Sequence, residues 1–340
     1  MVTRDAAGHV LPSRTTTSRT PPAGRFRQST RPAATAFALN RQFLFTTLPS
    51  LNPSSSVRET DRQFGQAWGA SAAGNTAEFV DTNVYLARWP CRRLWGDETP
   101  RLLAKLRAHG VTSAWAGSFD SLLHRDIAAV NVRLAGECAD SGKGLLQAVG
   151  AINPALPDWE EDLRRCHEVH RMLAVRLHPN YHGYTLGDPR FARLLEHAAR
   201  RGMLVQVALR MEDERTQHPL LQVAEVSPEP LVDLLPSLPG ARLMLLNCFR
   251  SLRNNRLLLA RLVRTGTVSF DISTLEVVAG VRAMLEATPG IPLVFGSYAP
   301  YFNFESAWLK LRESKLSANQ LHDLRVGQAQ AALAGTTRPG

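Results

Sequence analysis

From Phe79 to about Arg312, short apolar runs alternate with longer amphipathic stretches. The eight runs are Phe79–Leu86, Val111–Phe119, Leu145–Ile152, Leu173–His178, Met203–Leu209, Ala241–Asn247, Thr267–Ile272 and Pro292–Ser297. Several are near-continuous, as in Leu243-Met244-Leu245-Leu246. Such runs suit strands of a parallel sheet covered on both faces. The stretches between them carry helix signals. Thr99-Pro100 sets a cap and an early proline before Arg101–His109, and Gly110 stops it. Asp158-Trp159-Glu160-Glu161 opens a second helix to about Arg171. Asp188-Pro189 opens a third, which Gly202 stops. Ser227-Pro228 opens another, ended near Pro239-Gly240, and Ser273 with Glu276 opens one that Pro289-Gly290 terminates.

Eight strand-then-helix units in about 240 residues match the size and order of an α/β (β/α)8 barrel. A doubly wound open sheet is the alternative, but no Gly-x-Gly-x-x-Gly comes after the first run. The expected organisation is a TIM barrel over 77–320 and an extra C-terminal helix and tail over 321–340.

Residues 1–76 are a different material, dominated by Arg, Ser, Thr, Pro and Ala. Nine Arg against three acids leave +6 there, out of a formal net charge of +10. Apolar residues are too few to offset the entropy of ordering the segment, so it is expected to be a disordered extension. The same Arg-rich, acid-poor composition also fits a transit peptide. Ala33–Leu39 is short, and Asn40-Arg41 interrupts the apolar run after it, which counts against a secretory signal.

The rest of the chain has 31 basic and 27 acidic residues and no clustered basic run, so no nucleic-acid partner is expected. No run of about 18 apolar residues exists, and no membrane span is expected. Cys91, Cys138, Cys166 and Cys248 form no CxxC pair. That favours free thiols and the cytoplasm, with an organelle as the alternative if residues 1–76 are a transit peptide. A homo-oligomer is left open.

Three motifs in order carry a resemblance. Phe79-Val80-Asp81-Thr82-Asn83-Val84-Tyr85 resembles the opening Asp-x-His-x-His strand of amidohydrolase-related, metal-dependent hydrolases. Val175-Arg176-Leu177-His178-Pro179-Asn180-Tyr181 resembles their fourth-strand motif. Leu293-Val294-Phe295-Gly296-Ser297-Tyr298-Ala299-Pro300 is similar to their strand-eight Phe-Gly-Ser-Asp-x-Pro. The resemblance implies a TIM barrel with its site at the C-terminal strand ends. It also implies that the family's ligand positions carry Asn83, Tyr85, Ala208, Asn247 and Tyr298, with only His178 left as a good nitrogen ligand. Catalytic zinc takes about three protein ligands. The expectation is therefore no cofactor, the runner-up being a divalent cation held by oxygens of Asp81, Asp271 and the Glu212–Glu214 loop.

The residues expected at the barrel mouth are those at C-terminal strand ends. Strand one supplies Asp81, Asn83 and Tyr85, which alternation points to one side. Strand four supplies His178, then Asn180, Tyr181 and His182. Strand five leads into a long loop, Arg210–Val226, which holds Glu212. Strands six to eight add Asn247, Asp271 and Tyr298. Arg92-Arg93 with Trp89 and Trp95 reads first as a surface patch. No GxSxG elbow, P-loop or HExxH is present.

Two functions are consistent with these residues. One is a hydrolase or decarboxylase-like enzyme on a small polar, carboxylated substrate. His178 is its general acid/base, Asp81 or Asp271 orients it, and Asn83, Tyr85, Asn180, Tyr181, His182, Arg210, Glu212, Asn247 and Tyr298 bind substrate. The other is a pseudoenzyme kept for ligand binding or as a scaffold. Convergence of Asp81, His178 and Asp271 favours the first; a mouth filled by Tyr85 and Tyr298 favours the second.

Overall fold

A computed structural model of the chain describes residues 78–334. The expectations for residues 1–76 and for the tail beyond 334 lie outside the described residues. The strands are β1 (Val80–Leu86), β2 (Ser113–Ser118), β3 (Leu146–Ala148), β4 (Gly150–Ala151), β5 (Ala174–Leu177), β6 (Leu204–Ala208), β7 (Leu243–Leu246), β8 (Val268–Asp271) and β9 (Leu293–Val294). All their pairings are parallel, in two ladders, β1-β2-β3 and β4 to β9 in sequence order. β3 and β4 are two parts of one run, so the ladders join through the chain itself. Closure onto β1 runs through Thr82 N–H to the Phe295 carbonyl (3.0 Å), Tyr298 N–H to Asn83 (2.8 Å) and Tyr85 N–H to Ala299 (2.9 Å). The result is the eight-stranded (β/α)8 barrel, each expected run being present and trimmed at its ends.

Helix starts differ in detail, because several expected caps are used elsewhere. Thr99 is the first residue of the helix Thr99–Ala108, and its hydroxyl bonds Glu137. Asp158 precedes Trp159–Glu168 without a side-chain cap. Asp188 does cap, accepting from Arg190 N–H at 2.8 Å. The helix expected after Ser227-Pro228 is one turn, Leu231–Leu234, extended by Leu235–Ser237. Ser273 donates to Asn247 (2.8 Å) instead of capping, and the next helix begins at Gly280. Beyond Ser317, a capping box with Gln320 starts helical chain that continues to Leu333.

Apolar side chains fill two layers. Phe79, Leu163, Phe191, Leu259, Phe295 and Phe304 belong to the layer between strands and helices. Val80, Trp115, Leu204, Met244 and Val294 pack in a second cluster with Tyr85 and Tyr298. Burying each large apolar side chain contributes roughly 1.5–3 kcal/mol. The fully buried guanidinium of Arg176 bolts the strands together from within. It donates to Gln206 Oε1 (2.8 Å) and to the carbonyls of Val84 (2.9 Å), Thr82 (3.2 Å) and Trp115 (3.1 Å). Its carbon lies 4.4 Å from the centre of the Tyr85 ring. Gly117 makes room for it, since a Cβ there would stand 2.9 Å from Arg176 Nη1.

No helix among the described residues is long and apolar enough to cross a membrane.

Candidate functional site

Asp81, Asn83, Tyr85, His178, Asn247, Asp271 and Tyr298 are all at most 1% exposed, with Asn247 and Tyr298 touching open space only at the edge of a cavity described below. They divide into two groups. Asn83 is the hub of the first. Its Nδ2 donates to Asp271 Oδ2 (2.7 Å) and to Asn247 Oδ1 (3.0 Å). Asn247 returns its own N–H to Asp271 Oδ1 (2.8 Å) and donates Nδ2 to the Arg210 carbonyl (2.7 Å). Asp81 Oδ1 accepts from Ser297 N–H (2.9 Å) and Asn83 N–H (3.2 Å). Asp81 Oδ2 and Asn83 Oδ1 have no hydrogen-bond partner. Gly296 is obligatory here, because a Cβ would lie 2.6 Å from Asp271 Oδ2.

The second group is Tyr85 with His178. The hydroxyl and Nε2 are 3.0 Å apart. Ser121 Oγ lies 3.5 Å from Nδ1 and gives its own proton to the Ser118 carbonyl (2.7 Å). An Nδ1–H tautomer suits this geometry and leaves Nε2 to accept from Tyr85, whose hydroxyl also lies 3.6 Å from Met211 Sδ. Tyr85 stacks on Phe119 at 4.5 Å and meets Tyr298 edge-on at 5.6 Å. The Tyr298 hydroxyl donates to the Met211 carbonyl (2.6 Å). Asp81 and Asp271 thus belong to one knot and His178 to another, and the three do not converge.

Burial dominates the electrostatics. It pushes Asp81 from 3.8 up to about 7 and raises Asp271 as well. Burial, then the neighbouring His182 and Arg176, holds His178 well below its ordinary value. Burial likewise lifts Tyr85 to about 12. These groups are neutral or reluctant ions at pH 7, with Arg176 as the buried charge beneath them.

Above the plug lies a cavity of about 310 Å³, over the C-terminal strand ends. Asn247, Tyr298, Arg210 and Glu212 of the expected residues line it, joined by Arg92 and Arg250. The long loop folds inward to make its floor: Met211 and Glu212 are buried. Glu212 is held by Arg92 and by the Tyr301 hydroxyl (3.2 Å). Asn247 and Tyr298 sit at φ 54° and 59°, left-handed backbone that is unusual for tyrosine. Asn180 bonds the Ala224 carbonyl (3.0 Å), His182 the Ser121 carbonyl (2.8 Å), and Tyr181 is half-buried; none of the three lines this cavity. A larger cavity, about 590 Å³, lies at the opposite strand ends, against Ser113, Leu146 and Ala174. Barrel chemistry belongs to the C-terminal face, so the smaller cavity is the candidate site.

Sequence reasoning missed Arg176, Arg250 and Met211 as parts of this end of the barrel, while Asp213 belongs to the Glu212–Glu214 loop it did place there. Arg176 had a signal: one charge inside an apolar strand. The other two had none, since their segments have no periodicity.

No protein-family model matches the chain, and no curated protein sequence matches it. Solved structures do share the fold. A 2,6-dihydroxybenzoate decarboxylase from Rhizobium aligns with TM-score 0.59 at 11% identity, over 76% of this chain and 98% of its own. A putative amidohydrolase from Staphylococcus aureus aligns with TM-score 0.59 at 10% identity, over 76% and 99%. The 5-carboxyvanillate decarboxylase LigW2 from Novosphingobium aromaticivorans aligns with TM-score 0.60 at 12% identity, over 77% and 98%; it was crystallised with manganese and 3-methoxy-4-hydroxy-5-nitrobenzoic acid. This corrects the expectation of a mouth without a cofactor, because a barrel of this fold carries a divalent ion.

The present side chains do not form a ready cage for such an ion. No three His, Cys, Asp or Glu side chains among the described residues converge on one point. Asp81 and Asp271 are the carboxyl groups of this knot, and three of their four oxygens already accept hydrogen bonds. His178 is turned to Tyr85.

Proposed function

We propose that this chain is an amidohydrolase-related barrel that binds a small carboxylated molecule over the C-terminal ends of its strands. The carrying observation is the 310 Å³ cavity whose lining sets Arg92, Arg210 and Arg250, paired there with Glu212 and Asp213, beside Asn247 and Tyr298. Guanidinium groups are the side chains best suited to carboxylates, through paired N–H donors. Tyr298 and Tyr301, stacked on each other at 4.8 Å, form with Phe302 an apolar side of the cavity for the rest of the molecule. Fold neighbours crystallised with 2,6-dihydroxybenzoate and a nitrobenzoic acid motivate an aromatic acid as first probe.

Of the two functional classes, binding without turnover has the better support. Tyr85 and Tyr298 fill the mouth, and His178 reaches neither carboxylate of the Asp81–Asp271 knot. The enzyme reading keeps one specific support, a dry Tyr85–His178 pair under Met211. A neutral imidazole beside a phenol is a competent proton relay once Met211 moves aside. This reading keeps the protein in the cytoplasm, consistent with four unpaired cysteines.

The test is calorimetry and thermal shift with 2,6-dihydroxybenzoate and related acids, with and without added manganese, while product is tracked by chromatography. Binding with no product supports the reading. Product that disappears in His178→Ala returns the protein to the enzyme class. No binding by any acid at millimolar concentration overturns the proposal.

A further inference from the structure

One carboxylate at the mouth is held by three guanidinium groups. Asp213 Oδ2 lies 2.9 Å from Arg215 Nη2, 3.1 Å from Arg210 Nη2, and in contact with Arg250 Nη1. Its Oδ1 also takes Arg215 Nε (3.0 Å) and the Arg215 N–H (3.0 Å). Arg210 and Arg250 face the cavity; Arg215 is 81% exposed.

The second observation concerns Arg210. Its side chain is only 9% exposed, and its Nε is spent on the Glu212 carbonyl (2.9 Å). Nη2 is buried, close to Asp213, yet out of line for a hydrogen bond to any acceptor. A desolvated guanidinium N–H without an acceptor is costly, and an acceptor supplied from the cavity relieves that cost.

We propose that the space between Arg210 and Arg250 is a carboxylate site, and that Asp213 is its built-in place-holder. The proposal rests on the small-carboxylate reading above and names how that carboxylate is held. An incoming monocarboxylate takes the guanidinium edges of Arg210 and Arg250, with its body against Asn247 and Tyr298. Asp213 leaves together with Arg215, which already grips both of its oxygens. The exchange conserves ion pairs: Arg210 and Arg250 trade one carboxylate for another, and Asp213 keeps Arg215. Because Asp213 belongs to the loop that begins at Arg210, ligand entry unseats that loop around residues 213–216.

A site filled by its own carboxylate nine-tenths of the time binds a ligand about tenfold more weakly than a free one. The probe is 2,6-dihydroxybenzoate, titrated into wild type, Asp213→Ala and Arg210→Gln, with trypsin cleavage after Arg215 monitored in wild type. Asp213→Ala is expected to tighten Kd about tenfold. Arg210→Gln is expected to weaken it by at least about tenfold. Saturating ligand is expected to speed cleavage after Arg215. Wild-type binding that is unchanged or weaker in Asp213→Ala, or ligand that protects Arg215 from trypsin, overturns the place-holder and leaves the proposed function standing. No binding by wild type or by Asp213→Ala overturns both. If Arg210→Gln does not fold, the other two measurements decide.

Discussion

Replacing Asp81 by Asn probes the buried carboxylate knot. Asp81 is fully buried, its Oδ1 takes two backbone N–H groups, and its Oδ2 meets no donor. Burial moves its pKa from 3.8 to about 7, so the folded chain keeps a proton that the unfolded chain has released. A raised pKa favours the protonated fold. Its contribution is fully present below pH 3.8 and is lost as pH rises through about 7. The gap between those two values corresponds to about 4 kcal/mol. Asparagine is uncharged throughout, keeps an oxygen for the Ser297 and Asn83 N–H groups, and places its amide where Oδ2 now lacks a partner. Asp81→Asn is therefore expected to match wild type near pH 4 and to exceed it by up to about 4 kcal/mol above pH 7. At about 2–4 °C per kcal/mol, the Tm gap at pH 8.5 is about 10 °C. The assay is thermal unfolding of both proteins from about pH 4 to about pH 8.5. His178 works in the opposite sense: its depressed pKa removes stability as pH falls below 6.5, and it cancels between the two proteins. A gap that does not change with pH, or a variant less stable at pH 8.5, would refute the reasoning. It would mean that the carboxylate is ionised and compensated, for instance by a bound cation.

Two further substitutions test the packing beneath the mouth. Gly117→Ala drives a Cβ to within 2.9 Å of Arg176 Nη1 and is expected to cost about 1–3 kcal/mol; an unchanged denaturation midpoint counts against the Arg176 bolt. Tyr85→Phe removes the donor to His178 Nε2 and strands a buried acceptor, an expected loss of about 1–3 kcal/mol; full stability would show that the 3.0 Å contact is not a working hydrogen bond.

How far the sequence reveals this molecule depends on the range over which each signal acts. Periodicity is local and repeats eight times, so the barrel is legible even where caps are misread; Ser273, drawn off to Asn247, misplaces one helix start without moving a strand. Strand parity is also local: it groups Asn83 with Tyr85, and the strand ends supply His178, Asn247 and Asp271, but it does not carry Asp81, the second residue of β1, because the register shifts between Asp81 and Val84. Nor does parity carry which of these side chains meet. Asn83 bonds residues 164 and 188 positions away, and Tyr85 bonds one 93 positions away. Those choices are set by side-chain volume across the lumen: Tyr85 is wedged between Phe119 and Tyr298 and reaches His178, which leaves the two carboxylates to Asn83 and the Ser297 backbone. The loop from Arg210 is harder still, because no period runs through it and its order comes from ion pairs to Arg92 and Arg250. A single chain records the types of these residues and not their pairings. The mouth is therefore a place where the residue types were readable and the chemistry, which resides in the pairings, was not.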